Sequence, residues 1–281
     1  MRVIQESEIK KKVKNMCLSA NYILPNEIRQ ALQLAKAREK SPLGKEIIGE
    51  ILDNSSIASQ EQIPICQDTG FAVFFIEWGQ NIVLEGRSLE EILNEVVREV
   101  YKEEYLRKSI VDDPLFARKN TEDNTPSVVN TIIVPGDKLK ITFMPKGGGS
   151  ENMSSFKMLK PSDGIKGVKK YVLDVVKKAG ANPCPPILVG IGIGGTFEKT
   201  VLLAKKALLR PLNARNKDEK YAALEEEILL DINNLGIGPQ GFGGTVTALT
   251  VNIEYFPAHI ASLPVAVTLQ CHAARHCSLI I

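Results

Sequence analysis

The chain has almost no excess of either charge: 35 basic against 33 acidic side chains in 281 residues leave a formal net charge of +2. That balance offers no electrostatic footprint for nucleic acid or for a membrane surface. No run approaches the roughly 18 uninterrupted apolar residues of a spanning helix. The opening MRVIQESEIKKKVKN carries acids early and lacks an apolar stretch, unlike a secretory signal. Internal repeats and low-complexity linkers are absent. So is any CxxC pair, which excludes the zinc ribbon, the thioredoxin motif and the compact ferredoxin ligand run. The expectation is a soluble, cytoplasmic, globular protein without nucleic-acid or membrane partners.

What is present is an odd set of cysteines: Cys17, Cys66, Cys184, Cys271 and Cys277. An odd count without a signal segment argues against a secreted disulfide framework. Cys17 (KNMCLSANYIL) and Cys277 (CSLII) read as ordinary helix or tail positions. The other three have turn-like, backbone-fixing or charged neighbours: IPICQDTG, ANPCPPI and TLQCHAARH. Such surroundings hold a thiolate in a cleft, although a buried core thiol is the bland alternative for each.

Periodicity places helices first and strands later, a mixed α/β (α+β) chain. Residues 1–60 read as a helical segment and 61–281 as an α/β domain, in one subunit. In EIRQALQLAKAREK, Ile28, Leu32 and Ala35 share a face, with Asn26 as the cap after Pro25. FAVFFIEWG reads as a strand, and Ser88 with Glu91 forms a capping box opening the next helix. VVNTIIV and KLKITFMP flank Pro135–Asp137 and predict a hairpin. Ser162 or Asp163 opens a helix with Ile165, Val168, Val172, Val175 and Ala179 on one side. Residues 107–127 have no period, and so long a polar connection is more often functional than idle.

Four glycine loops stand out: GGGS (147–150), GIGIGG (190–195), GPQG and GFGG. Glycine lets backbone amides approach an anion, and equally marks tight turns. Gly190, Gly192 and Gly195 match the dinucleotide fingerprint between a strand and a helix. They lie two-thirds along the chain, however, and the acidic residue expected about 20 positions on finds only Asp218 and Glu219 opening a charged helix. A nicotinamide-dependent oxidoreductase is therefore the runner-up from another class, and a non-catalytic iron–sulfur scaffold the third.

Three thiolates without a fourth suit an iron–sulfur cluster with one iron free of protein ligand, with a three-cysteine zinc site as the competitor. Asp68 lies two positions from Cys66, and Arg107, Arg118, Arg275 and His259 are available to pair with carboxylates. Taken together, PICQDTG, MPKGGGSENMS, NPCPP, GIGIGGTFE, GPQGFGGTVTALTVNIE and HIASLPVAVTLQCHAARH resemble the class I iron–sulfur fumarate hydratases and L-(+)-tartrate dehydratases, specifically their alpha subunit or N-terminal half. The resemblance runs in order from Cys66 to the C-terminus.

It implies a [4Fe–4S] cluster on Cys66, Cys184 and Cys271 whose fourth iron binds substrate. Asp68 would be catalytic, with substrate contacts from Gln67, Arg107, the backbone of Gly149 and His259. A turn-capping Asp68 and a structural His259 are the alternatives. The activity implied is hydration of fumarate to L-malate, a reaction of the tricarboxylic acid cycle, with tartrate dehydration as the alternative. Single-chain members continue into a further domain, whereas ten residues follow Cys271 here. The implied partner is thus a separate beta subunit in an alpha2beta2 assembly, acting on a small dicarboxylic acid.

Overall fold

The computed structural model describes residues 1–281. In chain order its elements are β1 (Arg2–Gln5), α1 (Glu6–Tyr22), α2 (Asn26–Arg38), α3 (Pro42–Glu61), β2 (Phe71–Gly79), β3 (Ile82–Glu85) and α4 (Leu89–Glu103). Then come β4 (Val128–Val134), β5 (Leu139–Lys146), the single turn α5 (Gly148–Glu151), β6 (Ser155–Leu159) and α6 (Gly164–Ala179). The last are β7 (Ile187–Ile193), α7 (Phe197–Ala207), α8 (Glu219–Asn233), β8 (Ala248–Tyr255), β9 (Leu263–Gln270) and β10 (Cys277–Ile280). The fold is mixed α/β, as expected. No helix is long and apolar enough to cross a membrane.

The chain divides into two compact units. The first comprises Met1–Leu24, Ser55–Gly148 and Arg275–Ile281, the second Pro25–Asn54 and Gly149–Ala274. The N-terminal helices α1 to α3 are formed as read, and residues 1–60 are shared between the two units.

In the first unit the main sheet has the order β10-β5-β2-β4, and β1 and β3 make a separate parallel pair. Helices α1 and α4 contribute Ile9, Val13, Val97 and Tyr101 to its core, beside Phe74 and Phe143. The capping box of α4 is present: Ser88 Oγ accepts the Glu91 amide and Glu91 accepts the Ser88 amide. The predicted hairpin is not. Both β4 and β5 pair with β2, in parallel and antiparallel sense, so β2 lies between them. Turn chemistry sets a link's shape but not its pairing partner. The apolar, largely buried β2 takes the centre, and the Pro135–Lys138 link steps over its end. There Gln80 N donates to Val134 O (2.8 Å) and Gly79 N to Lys138 O (3.0 Å).

The second unit is built on a sheet of order β6-β9-β7-β8, with β7 parallel to β8 and antiparallel to β9. Odd residues of β7 (Ile187, Val189, Ile191, Ile193) join the core made with α6 and α8. Gly190 and Gly192 alternate with them and face α7. Three helix readings need correction. Asn26 is the first residue of α2, and Pro25 occupies the cap position without a side-chain bond. Ile165 is 65% exposed, so the buried face of α6 starts at Val168. Asp163 does precede α6, but its carboxylate accepts the Lys160 amide instead of capping the helix. The short strands β1, β3, β6 and β10 escaped the periodicity reading. Cys277 accordingly lies in an edge strand and not in a helix or loose tail.

Candidate active site

In the first unit, the chain leaves α3 and turns through Cys66–Gly70 before entering β2. Cys66 Sγ accepts the Asp68 amide at 3.4 Å and lies 3.6 Å from Gln67 Oε1. The Asp68 carboxylate is held from both sides: Oδ1 accepts Gly70 N (2.9 Å) and Oδ2 accepts Gly148 N (2.7 Å). A side chain at Gly147 would bring Cβ within 3.2 Å of Oδ2. The GGGS loop thus does present a backbone amide to an anion, and the anion is Asp68.

Buried groups fix this turn from behind. Tyr101 Oη donates to Thr69 O (2.9 Å), and burial pushes its hydroxyl well above the usual value, so it stays a neutral donor. Asn124 Nδ2 donates to Gly70 O (3.0 Å), while its Oδ1 accepts Ser109 N (2.8 Å). Thr69 Oγ1 donates to Arg107 O (3.0 Å), tying the Cys66 turn to the start of the long polar connection. Asp68, Gly70, Phe71, Arg107, Ser109 and Gly148 then line one cavity of about 170 Å³. The structure therefore brings Asp68 and Arg107 together. Arg275 departs from expectation. It is 3% exposed, and its Nη2 donates to Asp68 O (2.6 Å), so it does not face solvent as a free carboxylate partner.

The second unit brings Cys184 and Cys271 to one end of its sheet. Cys184 precedes β7 and Cys271 follows β9, and the antiparallel register sets Leu188 opposite Gln270. Cys184 has φ of 56°, an uncommon backbone for a residue with a side chain, and it is exposed. Its amide donates to Ala181 O (2.9 Å). His272 Nδ1 lies 3.0 Å from both Cys184 O and Gln240 Nε2. Gln240, in the GPQG turn, also donates from its backbone and side-chain amides to Pro185 O, each at 2.8 Å. The two cysteine turns are therefore locked to each other by His272 and Gln240, whose roles the sequence patterns did not identify. Gly149 stands beside the same turn, with Asn182 O 3.2 Å from where its Cβ would be.

His259 is not brought to the cysteines. It sits in the β8–β9 connection, at the end of the sheet where Ile193 pairs with Tyr255 and Val265. Five residue rises of strand, roughly 17 Å, separate that end from Leu188. Its Nδ1 accepts the Ala261 amide (3.2 Å) and its carbonyl accepts Ser262 N (2.9 Å), so it organises its own turn.

The remaining glycine loops have structural causes. A Cβ at Gly190 would lie 2.2 Å from Ala204 O and one at Gly192 2.1 Å from Thr200 O, so these glycines admit α7 against β7. Gly194 is similarly filled by Phe256 O at 2.0 Å. The fingerprint is a packing device, and Asp218 caps α8 by accepting the Lys220 amide.

The GFGG loop does meet an anion, Glu39, which is 1% exposed. Glu39 accepts the amides of Lys40 (2.7 Å), Ser41 (2.8 Å), Thr245 (2.9 Å) and Val246 (2.8 Å). Burial pushes its pKa up, but the amides of Ser41, Thr245, Val246 and Lys40 more than offset this and hold it below the ordinary value of 4.5. A depressed folded-state pKa gives stability that is present above the unfolded value and lost as pH falls through the folded one. Glu39→Gln should therefore cost about 2–3 kcal/mol near neutral pH, because its amide group would face backbone donors. The difference from wild type should shrink below pH 4.5, as thermal melts across pH 3–7 will test.

The five cysteines separate by environment. Burial pushes the thiols of Cys17 and Cys277 upward, which keeps them neutral, and Cys17 lies in the core. Cys66, Cys184 and Cys271 are on turns and at least partly accessible. The amide bond to Cys66 Sγ is of the kind that stabilises a metal-bound thiolate.

A carboxylate fixed by backbone amides and an arginine lining the same cavity, on a mixed α/β frame with three cysteines on turns, suit an enzyme that handles an acid. Comparison with known proteins gives the family. Residues 10–280 match the family model described as fumarate hydratase (Fumerase). The putative L(+)-tartrate dehydratase subunit alpha of Methanocaldococcus jannaschii is 45% identical over 262 residues, covering 91% of each chain. The L(+)-tartrate dehydratase subunit alpha of Escherichia coli K12 is 35% identical over 271 residues, 96% of this chain and 89% of that one. The chain belongs to the fumarate hydratase family and is a hydro-lyase.

Proposed function

We propose that this chain is the alpha subunit of an iron–sulfur hydro-lyase acting on a four-carbon hydroxydicarboxylate, with L-(+)-tartrate as the substrate. The placement of Asp68 and Arg107 in one cavity carries the reading. Dehydration removes a proton from one carbon and hydroxide from its neighbour, leaving an enol that becomes oxaloacetate. Asp68 is the proton acceptor: two backbone amides fix its carboxylate, and each oxygen keeps a lone pair. Arg107 pairs with a substrate carboxylate, and Gln67 and the Gly149 amide contribute further polar contacts.

We assign Cys66, Cys184 and Cys271 as ligands of a [4Fe–4S] cluster: these three thiols sit on turns, whereas Cys17 is buried in the core and Cys277 lies in an edge strand with its thiol pKa raised by burial. When bound, such a cluster supplies a Lewis acid for the departing hydroxyl. A beta subunit provides the remaining substrate groups. The names of the relatives support tartrate, whereas the family description supports fumarate hydration as the second reading.

The test is anaerobic reconstitution of the chain with and without its beta partner, followed by assays on L-(+)-tartrate, fumarate and L-malate. Turnover should require the partner. The value of kcat/KM for tartrate should exceed that for fumarate by at least about tenfold, a modest discrimination for one polar group. Full activity of the isolated chain would overturn the subunit reading, and preference for fumarate would select the second substrate.

A further inference from the structure

We infer that Arg275 is a positioning residue that holds the Cys66–Gly70 turn in its working geometry. The inference rests on the proposed function for the roles of Asp68 and Cys66, but not for the contact itself. The side chain is 3% exposed, and Nη2 donates to the Asp68 carbonyl at 2.6 Å. The amide of the same residue donates to Cys66 Sγ at 3.4 Å, and its carboxylate takes Gly70 N and Gly148 N. Asp68 is therefore gripped at its carbonyl, its amide and its side chain. Arg275 supplies the one hold that comes from a distant part of the sequence and carries charge.

The guanidinium has capacity beyond this bond. Its Nε and Nη1 are buried and have no acceptor in the protein. A buried cation with two unanswered donors is costly, so a purely structural role would be better served by a neutral side chain. What the charge does is favour negative charge in its surroundings. The proposed function places two such groups on this turn, the carboxylate of Asp68 and the metal-bound thiolate of Cys66. Arginine suits the task because its fork keeps one donor on the carbonyl while the others stay in place, which a lysine can match only in part.

The experiment uses Arg275→Gln and Arg275→Lys in the full chain. Before any iron is added, hydrogen exchange is followed for the peptide containing residues 66–70, with the β7 peptide as an internal reference. Arg275→Gln should speed exchange at 66–70 by about tenfold or more while leaving β7 unchanged, and Arg275→Lys should fall between it and wild type. After anaerobic reconstitution with the beta partner, kcat per bound cluster should drop about 100-fold in Arg275→Gln with KM within about threefold of wild type. That split is the signature of a misplaced catalytic group. Arg275→Lys should recover part of the loss.

Unchanged exchange at 66–70, or a raised KM with kcat intact, would overturn the inference, the latter by making Arg275 a substrate contact. If the Gln variant does not fold, the Lys variant is read alone. A kcat loss of about tenfold at constant KM supports the role, and wild-type exchange with wild-type kcat removes it. A wild-type enzyme inactive on every four-carbon diacid would sink the proposed function, while the exchange result would still decide whether Arg275 holds the turn.

Discussion

Asp68→Asn should lower kcat by about 10³- to 10⁴-fold, the upper range for loss of a general base, with a much smaller change in KM. Both carboxylate oxygens accept backbone amides, from Gly70 at 2.9 Å and Gly148 at 2.7 Å. An asparagine in the same pose must turn its NH₂ toward one of those donors. The resulting mismatch should cost about 1–3 kcal/mol, so the variant will also melt earlier. The two effects separate in the measurement. Steady-state kinetics on iron-matched samples well below the melting temperature report the lost base, and the melt reports the lost hydrogen bond. A kcat within about tenfold of wild type would leave Asp68 as a turn-capping residue only.

Cys184→Ser should abolish iron retention and turnover together, whereas Cys277→Ser should retain both. The physical difference is environment. Cys184 is exposed at the tip of a turn that Gln240 and His272 hold in place. Cys277 sits in an edge strand, and burial raises its thiol pKa, which disfavours the thiolate a metal requires. Iron and sulfide analysis after anaerobic reconstitution, with the broad absorbance near about 400 nm, reads the outcome directly. Because Cys184 is exposed, the serine variant should melt within a degree or two of wild type without iron. Retained iron in Cys184→Ser would remove this residue from the ligand set.

The glycine loops show how far pattern reading reaches. Glycine-rich turns read either as tight turns or as places where amides meet an anion, and at two of them an anion is met. The anions are the protein's own Asp68 and Glu39, reached across 80 and more than 200 positions of sequence. The third loop, GIGIGG, is glycine-rich because α7 packs where side chains would be. Local composition registers that a backbone must be approached closely. It does not register what approaches it, because that partner is set by the fold.

Other cases divide in the same way. The α4 capping box was legible because both its members lie within one turn, and the β2 run because its aromatic and β-branched composition is a local signal. The β4–β5 hairpin failed because pairing depends on which strand can be buried on both sides, and β2 outcompeted the turn. His259 is named as a substrate contact only through the family resemblance. The antiparallel course of β8 and β9 carries it to the other end of the sheet.

By itself the sequence reached the class of chemistry through the ordered motifs by which it resembles the fumarate hydratase family, which the comparisons bear out. It also determined that Asp68 stands beside Cys66, because two residues cannot be far apart. Only the tertiary structure decided which groups hold Asp68, that Arg107 shares its cavity, that the buried Arg275 donates to its carbonyl, and that His259 lies at the opposite end of the second unit's sheet from Cys184 and Cys271. The reason is physical. Covalent connectivity fixes neighbours within a few ångströms, whereas long-range hydrogen bonds and strand register are settled by the burial of the whole chain.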